Sequence, residues 1–511
     1  MVASVVPVSS PTPPRQRLDI SRHQRAPILD ALNDYLAAET VSFSTPGHKG
    51  GGGADSALRE LLGASVFATD VWLNTADHAA IQCAAEDLAA DAWGAERTFF
   101  LTNGSSAGNH AALLALLRPG DEVIVARDMH TSMLTALIQT GAHPIYVTPT
   151  LHPALDIGVG VDPDAVNAAL RDHPNARLVV VTSPTYWGIA SDVAGIAAVA
   201  HAHGVPLYVD EAWGPHLPFH PHLPPSAMSS GADLAVTSIH KLLGGLGQAA
   251  ILNACGTRLD LGRLATTVRM GQTTSPSTPI LASIDACRRQ MAIAGNCLMA
   301  RTLDLAADAR ERLAAIPGIS VLDAARLGLP MHRLDATRLV IDVQGLGVTG
   351  FAIDRALRDR FAVAVEMSDL RGIVALVTVG DDRERIDRLV QGIATLATEA
   401  RRGSTTGMAA LPRSAGIAAA GNVPVLSPRE AFFAPSRAMP LNAAIGEVAA
   451  ELVVPYPPGI PILMPGERIS GDKIAYLTGV LRCGAHVRGT ADPRLETIRV
   501  VAPEGLGLHR A

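Results

Sequence analysis

The chain has 511 residues, 48% of them hydrophobic but only 4% aromatic, with a formal net charge of -6. That length can bury a large core and fits two or three domains, while so mild a charge without a basic stripe excludes nucleic acid as an expected partner. The scattered cysteines Cys83, Cys255, Cys287, Cys297 and Cys483 form no CxxC pair and no metal-ligand spacing, which predicts no metal site and points to a reducing compartment.

No run approaches the length of apolar sequence that spans a bilayer. The opening MVASVVPVSSPTPPRQR lacks a charged stretch ahead of its short apolar run, so it reads as a disordered Pro/Ser tail on a cytoplasmic protein. Apolar residues at helical spacing in PILDALNDYLAAETV (27–41) predict a short helix, and FSTPGHKGGGG after it reads as a glycine-dense loop. Between about 80 and 256 the pattern alternates. IQCAAEDLAADAW reads as a helix, TFFL as a strand entering the loop TNGSS, and AGNHAALLALL as a helix. The strands DEVIVAR, HPIYVTP, ARLVVVTSP and VPLYVDEA are separated by the helices HTSMLTALIQTG, DPDAVNAALRDHP and VAGIAAVAHAHG; the strands ADLAVTSIHK and QAAILNA follow. Short apolar runs alternating with amphipathic helices predict an α/β protein whose mostly parallel sheet is covered on both faces.

Residues 285–316 read as a long helix bridging to a second domain. Over 337–400, strands (TRLVIDV, GIVALVTVG) mix with helices, an α+β pattern. Residues 401–423 look like a linker, and the last segment carries the rigid VPYPPGIPILMPGE. The expected organisation is a tail and helix over 1–45, a large domain over 46–316, a small α+β domain over 317–400, the linker, and a C-terminal domain over 424–511.

Ligands on a parallel α/β sheet bind beyond the carboxyl ends of the strands, and the polar residues fall there. Asn103, Gly104, Ser105 and Ser106 sit between a strand and a helix, where free N–H groups and two hydroxyls suit a phosphate or serve an ordinary N-cap. His130 lies at a helix start. Ser183, Thr185, Tyr186 and Trp187 follow another strand, in a stretch that also fits a simple proline turn. Asp210 closes an apolar strand, with Glu211, Trp213 and His216 just after it. Lys241 stands in TSIHKLLGGLGQ behind Ser238 and His240, among small and apolar neighbours. Desolvation disfavours an ammonium, so such a place suits a lysine that sheds its proton and attacks a carbonyl. Phosphate loop, histidine, strand-end aspartate and lysine are, in that order, the parts that hold pyridoxal 5'-phosphate.

The stretches TPGHKGG, TNGSSAGN, RDMHTSM, TSPTYWG, VDEAWGPH, SIHKLLGGLGQ, TTSPSTPILASID and PYPPGIPILMPGE, in this order, resemble the Orn/Lys/Arg decarboxylase family. These are pyridoxal-phosphate enzymes of the aspartate-aminotransferase fold, and the chain looks like the short form without the N-terminal wing domain. The resemblance implies that Lys241 joins the cofactor's aldehyde, that Asp210 pairs with its ring nitrogen and that His130 stacks on the ring. It implies that Ser105, Ser106, Ser238 and His240 hold the phosphate, that Trp213 lies beside the cofactor, and that Thr273 reaches the cofactor of the other subunit of a homodimer. Two features depart from the family pattern: Thr131 follows the histidine where lysine is frequent, and ATDVWLN replaces an acidic DVTEL-like stretch.

The expected reaction is decarboxylation of arginine, lysine or ornithine, giving carbon dioxide and a polyamine precursor. Glu211, Glu366 and Glu467 are open candidates for reading the substrate's distal cation. A transamination or aldol-type reaction on the same fold, or a silent regulatory protein that keeps it, are the alternatives, since the cofactor set does not fix which bond breaks.

Overall fold

The computed structural model describes residues 18–71, 77–153, 155–402, 424–456 and 460–506. The expected N-terminal tail, most of the expected linker, part of ATDVWLN and three residues of PYPPGIP lie outside them.

Seven short strands form the large sheet: β1 (Arg97–Leu101), β2 (Glu122–Ala126), β3 (His143–Val147), β4 (Leu178–Thr182), β5 (Leu207–Asp210), β6 (Leu234–Thr237) and β7 (Ala250–Ala254). Their order is β1-β7-β6-β5-β4-β2-β3. Only β7 opposes its neighbours, so the other six strands point their carboxyl ends to one edge. Successive side chains of a strand face opposite sides. Val123, Val125, Leu178 and Val180 accordingly pack beneath the helices Gly104–Leu116 and Thr131–Thr140. Ile124, Ala126, Val179 and Val181 pack against Pro163–Asp172 and Val193–Ala202. Both faces are dry, which is why these strands read as unbroken apolar runs.

The helix Thr278–Ala314 carries the chain out of this layer. Its first half buries Leu281, Ile284 and Met291 on the large domain, and its last turns bury Ala306, Ala309 and Leu313 in a second core. Gly295 lets it pass Phe219, whose Cβ stands 3.0 Å from where a methyl group would be. The second core lies under an antiparallel four-stranded sheet, β10-β11-β9-β8, built from β8 (Ser320–Val321), β9 (Arg338–Asp342), β10 (Met367–Ser368) and β11 (Gly372–Leu376). Residues 424–506 form a third core around Leu441, Leu463, Leu477 and Val500. Met464 from this segment reaches into the large-domain core, and Arg429 donates to the carbonyls of Ile138 and Gln139 at 2.8 and 3.0 Å. Among the described residues, no helix is long and apolar enough to cross a membrane.

One local expectation changes, and three helices appear where sequence offers no reading. The strand expected to run to Lys241 stops at Thr237, and Ser238 opens a helical turn, Ile239–Leu242. The helices Ser56–Leu62 and Ala64–Thr69 follow the glycine loop. A helix, Leu261–Gly271, precedes the TTSPSTPILASID stretch. It forms because Leu264, Thr267 and Val268 share one face, buried near the Gly104 helix, where Thr267 Oγ1 donates to the Ala111 carbonyl at 2.9 Å.

Candidate active site

The carboxyl edge of the large sheet gathers Asp210, His130, Ser105, Ser238 and Lys241. Asp210 ends β5 and is buried. Its Oδ1 accepts the Ala212 N–H at 3.1 Å and its Oδ2 accepts Asn109 Nδ2 at 3.0 Å. Asn109, on the Gly104 helix, also donates to Ser132 Oγ at 2.8 Å and accepts the Tyr208 hydroxyl. Ser132 Oγ in turn lies 2.8 Å from His130 Nδ1. His130 is the N-cap of the Thr131 helix, and its Nδ1 accepts the Ser132 N–H at 3.2 Å. That nitrogen therefore carries no proton. Burial lowers the His130 pKa, Asp210 opposes and Lys241 reinforces the effect, so a neutral ring faces the site at pH 7. Asp210, His130 and Lys241 thus lie within one another's fields.

Ser238 is buried, and its Oγ meets Ser105 Oγ at 2.6 Å. The pair links the start of the Gly104 helix to the turn that carries Lys241, and Ser106 is the next residue of that helix. Gly104 takes a positive φ of 71° at the entry, a left-handed conformation that favours glycine. His240 Nδ1 donates to the Ala249 carbonyl at 2.9 Å, and burial lowers its pKa.

Lys241 Nζ stands 4.0 Å from the centroid of the Trp213 ring. Burial pushes its ammonium down to about 8, against the pull of Asp210 and Glu366 and with the help of Arg338. Near neutral pH such an amine both holds and gives up a proton. Tyr186 meets the edge of Trp213 at 6.2 Å. Ser183 Oγ accepts the Ser191 N–H at 3.1 Å and Thr185 Oγ1 accepts that of Ile189 at 3.3 Å, so these two hydroxyls shape the loop after β4.

The three carboxylates separate. Glu211 is buried, and its Oε1 accepts the Ala227 N–H at 2.6 Å, which pins a neighbouring turn. Glu467 is buried between Arg127 and Lys473, each at 3.0 Å, and accepts the Met464 N–H at 3.1 Å. Glu366 is exposed, and its charge reaches both Lys241 and Arg338. Thr273 is exposed and pairs with Ser275 Oγ at 3.3 Å. Within one chain its hydrogen bonding does not join the Ser105–Ser238 group. Its neighbour Gln272 docks on the end of β1, accepting the Thr102 N–H and donating to the Phe100 carbonyl, both at 3.0 Å.

Sequence reasoning missed Asn109, Ser132, Tyr208 and Arg338. Asn109 left a signal: an amide inside an Ala- and Leu-rich helix has to find partners once buried. Arg338 left none, because an arginine at a strand start is ordinary.

The backbone defines the class. The Francisella novicida lysine decarboxylase superposes with a TM-score of 0.82, covering 94% of this chain and 82% of its own, and Pseudomonas aeruginosa lysine decarboxylase A with 0.79, covering 94% and 81%. At 21% and 24% identity these likenesses establish the fold alone. Sequence narrows it. The model for the Orn/Lys/Arg decarboxylase major domain matches residues 26–330, and the model for the C-terminal domain of the same family matches 419–492. The arginine decarboxylase of Bacillus subtilis is 38% identical over 493 residues, 94% of this chain and 99% of the relative. That of Halalkalibacterium halodurans is 37% identical over 490 residues, with the same coverage of both. The chain belongs to the Orn/Lys/Arg decarboxylase family and is an enzyme, a decarboxylase of basic amino acids.

Proposed function

We propose that the protein decarboxylates arginine to agmatine and carbon dioxide with pyridoxal 5'-phosphate, as a cytoplasmic homodimer or dimer-based oligomer. The choice of arginine draws on the relatives: those named arginine decarboxylase are 36–38% identical, those named lysine decarboxylase 22–26%. The observation that carries the chemistry is the convergence of a depressed lysine, a buried strand-end carboxylate and a neutral imidazole at one sheet edge.

These residues fit the cofactor. The Ser105–Ser238 hydroxyl pair beside a helix start suits its phosphate, with Ser106 and His240 next to it. Asp210, held as an acceptor by Asn109 and Ala212, suits a protonated ring nitrogen. The ring of His130 supplies a flat face, Lys241 an amine for the aldehyde, and Trp213 an adjoining wall. When bound, pyridoxal phosphate supplies an electron sink for the pair left behind by departing carbon dioxide. Asp210 keeps that sink charged. Lys241 Nζ carries the proton that replaces the lost carboxylate, a task its lowered pKa suits.

Of the three candidate carboxylates, Glu366 is the one with its charge directed to the site and its surface open, so we assign it the guanidinium. The open position of Thr273 supports its action in the partner's site. Met270, three residues before Thr273, is 71% exposed, apolar surface that a second subunit would cover. The test is incubation of the cofactor-loaded enzyme with arginine, lysine and ornithine, followed by mass spectrometry. Agmatine as the dominant product is expected. Cadaverine or putrescine in excess would correct the substrate, and a keto acid in place of an amine would correct the reaction.

A further inference from the structure

We propose that Arg338, with its buried partners Asp335 and His216, is a positioning residue that holds Trp213 against Lys241 and locks the small domain onto the catalytic edge. Arg338 opens β9 of the small domain and is fully buried. Its Nη1 donates to the carbonyls of Thr185 and Tyr186 at 2.8 and 2.9 Å, and its Nη2 donates to the Trp213 carbonyl at 2.9 Å. These acceptors sit on the loops after β4 and β5. One planar guanidinium therefore ties two catalytic loops to a third element. Its Cζ also lies 4.7 Å from the centroid of the Trp213 ring, the ring that Lys241 Nζ approaches at 4.0 Å. Trp213 is thus held through its backbone and its indole by the same side chain.

The circuit closes through Asp335. Its Oδ2 stands 3.4 Å from Arg338 Nε and 3.1 Å from His216 Nε2, and its Oδ1 accepts the N–H and hydroxyl of Thr337 at 3.0 and 2.6 Å. His216 lies three residues after Trp213, so the loop after β5 is gripped at two points. The loop after β4 makes room for the arginine: a Cβ on Gly188 would stand 2.9 Å from Arg338 Cδ, and Gly188 has φ of 81°. Packing alone does not call for a buried ion pair, since apolar residues of like volume usually serve as well. A rigid fork with several donors is a reason to keep arginine, and lysine does not reproduce it. The charged groups that act on Lys241 are Asp210 from β5, Glu366 ahead of β10 and Arg338 from β9, and Arg338 lowers its proton affinity.

The proposal rests on Lys241 being the reactive amine of the decarboxylase. It is tested with the variants R338K and R338M/D335N. In the cofactor-free protein, Lys241 is titrated by competitive acetylation and peptide mass spectrometry, which needs no turnover. R338M/D335N is expected to slow Lys241 acetylation at pH 7 by about tenfold, because it removes the Arg338 charge that lowers the proton affinity of Lys241, while the Asp335 charge removed with it is not among those that act on Lys241. R338K keeps the charge and should acetylate within about twofold of wild type. It should nonetheless raise the acrylamide quenching assigned to Trp213 by comparison with W213F, and lower kcat about tenfold with a smaller change in KM. Wild-type quenching and kcat in R338K would overturn the proposal, as would loss of the cooperative melt in both variants, which would leave Arg338 a stability role alone. If wild-type enzyme decarboxylates no basic amino acid, the functional reading fails, and acetylation and quenching still decide the role of Arg338.

Discussion

Replacing Glu467 by alanine is expected to destabilise the junction between residues 424–506 and the large domain by about 3–5 kcal/mol while leaving arginine binding in place. Glu467 is 1% exposed and stands between Arg127 and Lys473, each 3.0 Å away. Without the carboxylate two cations share a dry space. Lys473 can escape by losing its proton, since burial already lowers its pKa against the pull of Glu467. Arg127 cannot, because a guanidinium keeps its proton. Its remaining hydrogen-bond partners are the neutral carbonyls of Pro461 at 2.7 Å and Ile462 at 3.3 Å, with the Tyr146 ring at 5.6 Å, and the adjacent Asp128 acts on it only through its field. The cost therefore falls mainly on Arg127, which lies three residues before His130. Replacing Arg127, Glu467 and Lys473 together by Met, Leu and Met should recover most of the loss, because a fully apolar swap leaves no orphaned charge. The assay pairs urea unfolding, followed by limited proteolysis within 424–506, with calorimetric titration of arginine. An unchanged unfolding midpoint together with lost arginine binding would refute the reasoning and make Glu467 the guanidinium reader in place of Glu366.

Asn109→Ala should weaken pyridoxal-phosphate binding by about tenfold, since it strips Asp210 of one donor and leaves the Tyr208 hydroxyl without its acceptor; equilibrium dialysis measures this, and wild-type affinity would show that Asp210 needs no such support. A Lys241→Ala chain and a Thr273→Val chain, each poorly active alone, should recover activity when co-assembled, because one hybrid site then has both wild-type halves; verified heterodimers without recovery would rule out a shared site.

The large sheet was legible because its strands are buried on both faces. Such strands leave apolar runs too short for helices, bounded by turn residues, and LVVVT and EVIVA read unambiguously. The Leu261–Gly271 helix was not legible, because its buried stripe includes Thr267, whose hydroxyl is satisfied by the Ala111 carbonyl. A threonine with a tertiary partner counts as core, yet sequence shows only a polar residue. The end of β6 was misread for a related reason. TSIHK continues the strand's composition, and the turn begins only because Ser238 is drawn to Ser105, 133 residues earlier in the chain.

The site divides along the same line. Lys241, Asp210 and His130 announce themselves by residue type, and their positions at or a few residues beyond strand ends follow from local pattern. The carboxylates do not, because what distinguishes them is how their oxygens are already committed. Glu211 and Glu467 stand in stretches that match the family, and each is pinned inside the protein by partners that sequence does not reveal. Glu366 has no motif of its own beyond EMSD, yet it keeps an exposed carboxylate whose field reaches Lys241. A carboxylate that already neutralises two buried cations would have to abandon them to bind a guanidinium, and the cost of orphaning Arg127 exceeds what one new ion pair near solvent returns. Prior commitment therefore supports the proposal that Glu366 recognises the substrate, and it favours Glu467 as a residue that joins domains.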